Sequence, residues 1–104
     1  MKSPNACQTL GHIRTAVNTI DRQLIRLLGK RTQYARAAFA FKTDLKSIGQ
    51  PAHRKKLFAQ RKVWAKQCGA DPRMIERIYQ AVVAESKRMH LAAYKSRKRG
   101  TPKA

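Results

Sequence analysis

The chain has 104 residues and carries 24 lysines and arginines against 5 aspartates and glutamates, a formal charge of +19. That length holds one domain, whose core is marginal unless a second chain adds buried area, and so basic a chain suits anionic partners. Two cysteines, Cys7 and Cys68, form no CxxC pair and exclude a disulfide framework, and the absence of ~18 consecutive apolar residues excludes a helical membrane span.

The opening MKSPNACQTLGHIR has no apolar run of signal-peptide length. The expected location is the cytoplasm, with both thiols reduced.

The first helix is expected from about Leu10 to Lys42, stopping near Thr43-Asp44. Leu10, Ile13, Val17, Ile20, Leu24, Leu27, Arg31, Tyr34, Ala38 and Phe41 recur every third or fourth position and so line one side of it. At ~1.5 Å per residue the striped segment runs ~48 Å, whereas a compact chain of this size has a radius of gyration of only about 13 Å. One chain cannot cover such a rod with the rest of itself. The stripe therefore predicts an obligate dimer in which a second copy supplies the missing cover. The one cation within it, Arg31, is costly to bury unless something compensates it, which marks it as a candidate site residue.

Ser47-Ile48-Gly49-Gln50 reads as a loop, and Pro51 suits the first turn of a second helix. That helix carries Leu57, Phe58, Arg61, Trp64 and Ala65 on one side and ends near Cys68, with Gly69 as the residue after its cap. Asp71 and Pro72 read as the N-cap and first position of a third helix. Its buried side is expected to hold Ile75, Ile78, Tyr79, Val82, Ser86, Met89 and Ala93. No alternating strand pattern occurs. The fold class is all-α: a three-helix chain with a long first helix, forming a domain over residues 1–98 with a basic disordered tail at 99–104.

Polar residues on the helix faces form the informative set. Lys42 follows Arg31 by about three turns, so the two project from nearly the same face ~16 Å apart and can close on one small anion. Arg14 precedes Arg31 by ~25 Å along the axis and joins them only if it comes from another chain. Ser86 and His90 lie one turn apart on the third helix and face the same way. His12 and His53 have no partners at metal-ligand spacing.

The basic residues are spread through every segment, and none of the common DNA- or RNA-reading motifs appears. Composition thus implies nonspecific nucleic-acid binding at low salt rather than sequence recognition. The densest run, KSRKRGTPKA at 95–104, reads as a frayed, solvated tail.

The segment IRTAVNTIDRQLIRLLGKRTQYARAAFAFK, from Ile13 to Lys42, resembles the all-helical chorismate mutases of the AroQ class, with their IR, ID, LL and R spacing and a closing K. The opening MKSP, the cysteine, the leucine and the FK ending look closer to the isochorismate-pyruvate lyases, which share the mutase fold. The likeness implies an intertwined homodimer acting on a small dicarboxylate, chorismate or isochorismate, with no cofactor, no metal and no membrane association. It implies that Arg14 is lent by the neighbouring subunit, that Arg31 grips a substrate carboxylate, and that Lys42 contacts a carboxylate and the ether oxygen of the breaking bond. Arg54 falls near a second-helix arginine of the mutases, though Lys55 stands where an acidic neighbour often follows, and Ser86 corresponds to a third-helix serine.

His90 is the departure: the family has glutamine there, or glutamate, as hydrogen-bond donor to the ether oxygen. Histidine donates from a neutral ring nitrogen or as imidazolium. Conversion of chorismate to prephenate is the expected reaction, and release of pyruvate from isochorismate the alternative. A third reading is a catalytically weak relative that binds anionic polymers such as nucleic acid.

Overall fold

The computed structural model describes residues 3–41 and 50–100, with side chains through residue 96. Among these the chain is all-helical: a 3-10 turn at Pro4–Ala6 precedes α1 (Leu10–Phe39), α2 (Pro51–Cys68) and α3 (Pro72–Gly100). They fall into two compact units, Met1–Tyr34 and Ala35–Ala104. No helix of the described residues is long and apolar enough to cross a membrane.

In the first unit, the start of α1 is set by a cap that hydrophobic spacing does not reveal. Thr9 Oγ1 accepts the His12 backbone N–H at 3.1 Å, satisfying an amide that the first turn leaves open. His12 reaches back in turn, its Nδ1 accepting the Gln8 N–H at 3.3 Å. Along the stripe, Leu10, Val17, Ile20, Leu24, Leu27 and Tyr34 are 47–70% exposed. Ile13 and Arg31 are half-buried. A single chain does not bury this face.

In the second unit, α1 closes at Phe39, earlier than the expected Lys42. The Ala40 N–H bonds to Ala37 O at 3.2 Å and the Phe41 N–H to Ala38 O at 3.1 Å, the tighter turn by which helices commonly end. The change of turn carries Phe41 off the stripe. It is 88% exposed, and Phe39 is buried instead at 9%. Lys42, the expected stop at Thr43-Asp44 and the Ser47-Ile48-Gly49 loop lie outside the described residues.

The connection from α2 to α3 follows from three residues. Gly69 adopts φ 76°, a left-handed conformation that disfavours a Cβ. Its N–H bonds to Lys66 O at 3.3 Å while the Ala70 N–H bonds to Ala65 O at 2.8 Å, the paired closure of a Schellman cap. Asp71 Oδ1 then accepts the Arg73 N–H at 3.0 Å and starts α3, with Pro72 as its first residue.

The two helices run back along each other. Ala65, only 5% exposed, gives them close approach, and Leu57, Phe58 and Arg61 are half-buried beside it. The Arg61 guanidinium carbon lies 4.9 Å from the Trp64 ring centroid and 5.4 Å from that of Tyr79, bridging α2 to α3 through the ring faces. Lys62 and Glu76 pair at 3.4 Å, both partly exposed, so the pair contributes little.

On α3 the face turned inward is Ile75, Tyr79, Val82, Val83, Ser86, Met89 and His90. Ile78, at 47%, and Ala93 are exposed instead, because the packed face centres on the 75-79-82-86-90 row. The helix continues through Gly100, so the segment from Lys95 begins as helix; the rest of the expected tail, 101–104, lies outside the described residues. Lysine and arginine are good helix formers, and cations suit a helix C-terminus.

Candidate functional site

The first unit holds two of the candidate residues. Arg14 is exposed and Arg31 half-buried on the unbroken α1. Continuity of the helix keeps them ~25 Å apart, so the Arg14 and Arg31 of one chain cannot grip the same small molecule.

The second unit holds Arg54, Ser86 and His90. His90 is 7% exposed and stacks on Phe39, with ring centroids 5.4 Å apart and planes inclined by 27°. That contact fixes the plane of the imidazole and so aims its ring nitrogens. Ser86 is half-buried one turn earlier on the same face of α3.

Arg54 is half-buried near the start of α2, where its backbone N–H bonds to Gln50 O at 3.1 Å. Its side-chain Nε is enclosed without a hydrogen-bond partner among the described residues. A buried cationic donor lacking an acceptor is costly, and an incoming carboxylate relieves that cost. The antiparallel register places it. Arg61 reaches Tyr79; two turns back along α2 is Arg54, and two turns forward along α3 is Ser86, so these two stand level with each other. Arg61 has a similarly enclosed Nε, but its guanidinium already meets two rings and donates to Gln60 Oε1 at 3.1 Å. It reads as packing. Lys42 lies outside the described residues.

Phe39 is the residue that sequence reasoning passed over. The signal was present: Leu28, Thr32, Ala35 and Phe39 form a second run at helical spacing beside the marked stripe. No three His, Cys, Asp or Glu side chains among the described residues are grouped to hold a metal ion. Cations and neutral donors on rigid helices suit the binding and orientation of an anion.

Residues 13–91 match the family model described as chorismate mutase type II. The chain is also similar to the isochorismate pyruvate lyase of Pseudomonas aeruginosa, at 31% identity over 83 residues, which covers 80% of this chain and 82% of that one. With most of its length matched, and with three α-helices among the described residues as the periodicity implied, the chain belongs to the chorismate mutase type II family and is an enzyme of that kind.

Proposed function

We propose that the protein converts chorismate to prephenate in a cationic site shared between the two chains of a homodimer. The observation that carries this reading is the family match over residues 13–91, a span that contains Arg14, Arg31, Lys42, Arg54, Ser86 and His90. The reaction is a pericyclic shift and needs no nucleophile and no proton transfer. Its demands are a compact substrate conformer and compensation of the negative charge that grows on the ether oxygen. Arg31 and the partner chain's copy of Arg14 hold the carboxylates, with Arg54 and Ser86 as further contacts. Lys42 and His90 donate to the ether oxygen, where preorganised donors act most strongly in the transition state.

Two observations support the shared site. The ~25 Å between Arg14 and Arg31 on one helix requires a second chain if both meet one substrate. The exposed apolar face of α1 offers that chain a surface to cover.

A second reading, favoured by similarity to a protein named isochorismate pyruvate lyase, is that lyase reaction. A hydrogen moves within isochorismate to the enolpyruvyl methylene as the C–O bond breaks, releasing pyruvate and leaving salicylate. Similar groups serve both. Incubation with chorismate and with isochorismate separately, assaying prephenate, salicylate and pyruvate, tests the assignment. Prephenate from chorismate is expected. Equimolar salicylate and pyruvate from isochorismate, without prephenate from chorismate, establishes the second reading, and no product from either substrate overturns both.

A further inference from the structure

The substrate asks for a handful of cations, and most of the charge of +19 lies elsewhere. On α3, Arg73, Arg77, Arg88 and Lys95 are all exposed. They succeed one another by about one, three and two turns, so they share one arc of the helix over ~33 Å. This arc faces away from the packed row of Tyr79, Val82, Ser86 and His90. Of the two acids that border the arc, Glu85 is paired with Arg88 at 2.8 Å and Glu76 with Lys62 at 3.4 Å. Gln80, Ala81, Ala84 and Ala92, also exposed, flank the line. These are short or neutral; half-buried Leu91 also lies on the line between Arg88 and Lys95.

We infer that the outward face of α3 docks the phosphate backbone of double-stranded nucleic acid, without reading base sequence. A linear row of cations suits a linear polyanion, and ~33 Å spans about ten phosphates of one strand. A lipid surface is the poorer fit. Helices that lie in a bilayer interface bury an apolar face there, and the apolar face of α3 is packed on α2. Binding here is independent of the enzymatic assignment, since none of the four cations belongs to the proposed site.

The test is fluorescence anisotropy with a labelled duplex of about 20 base pairs, long enough to run past the stripe. With three phosphates neutralised by Arg73, Arg77 and Lys95, and a fourth where Arg88 exchanges Glu85 for phosphate, affinity falls between about fortyfold and a hundredfold from 50 to 200 mM salt. The variant R73Q/R77Q/K95Q, its helical circular dichroism unchanged, loses at least about tenfold in affinity at low salt, and its salt slope flattens by between about two and three units. The variant R22Q/R26Q/K30Q removes the same charge from exposed positions on α1 and keeps most of the binding. Equal losses in the two variants overturn the inference, because binding then follows net charge and not this face. Absence of duplex binding at low salt overturns it too, as does α3-dependent binding confined to phosphatidylglycerol vesicles.

Discussion

His90 has a defined place in the fold and stands where the resemblance implied glutamine or glutamate. Its ring is buried and stacked on Phe39, so the side chain is held in place as a site residue needs to be. Imidazolium carries two N–H donors and the neutral ring one, and a charged donor stabilises a developing oxyanion better. If imidazolium is the competent donor, turnover of chorismate falls as pH rises through its titration, and His90→Gln flattens that profile. A pH-independent rate in the unmodified protein eliminates the imidazolium as the donor. Arg54 is the second informative residue. Supplying an acceptor to its enclosed Nε is a reason for substrate to bind, so Arg54→Ala is expected to raise KM by about tenfold or more, read from initial rates.

At the scale of elements, the start of α2 and its joint to α3 were the most legible parts of the chain. Pro51, Gly69, Asp71 and Pro72 each have strong positional meaning, and all four stand where their chemistry puts them. Asp71→Ala removes the acceptor of the Arg73 N–H and is expected to lower unfolding free energy by about 1 kcal/mol, with Asp71→Ser recovering most of it. Gly69→Ala meets no neighbour within 4 Å, so its expected loss of ~1–2 kcal/mol comes from the left-handed backbone alone. Urea titration followed by circular dichroism reads both. The end of α1 was less legible. A hydrophobic stripe continues in sequence past the point where the backbone tightens, and Phe41 kept the spacing while losing the face.

At the scale of the whole molecule, the proposed dimer decides whether the residues of the first helix can work together. Arg14→Ala and Arg31→Ala chains, each inactive alone, are expected to regain about a quarter of normal activity when mixed as equal, freely exchanging dimers. Half the dimers are then mixed, and each of those has one intact site. No recovery despite verified exchange means that both arginines serve the same chain's site. The apolar face of α1 bears on this as well. A helix whose Leu10, Leu24 and Leu27 are half exposed or more in the isolated chain is expected to make stability depend on protein concentration, which thermal unfolding at several concentrations measures.

Helical periodicity, caps and the pattern of arginines along the first helix were properties of the sequence, because each depends on neighbours within a few residues. They determined the three helices and the family. Which aromatic residue meets His90, which face of α3 turns inward, and that Arg54 stands level with Ser86 were decided only by tertiary packing. These depend on where a helix ends and on the register of one helix against another, and a shift of one residue rotates a helical face by about 100°.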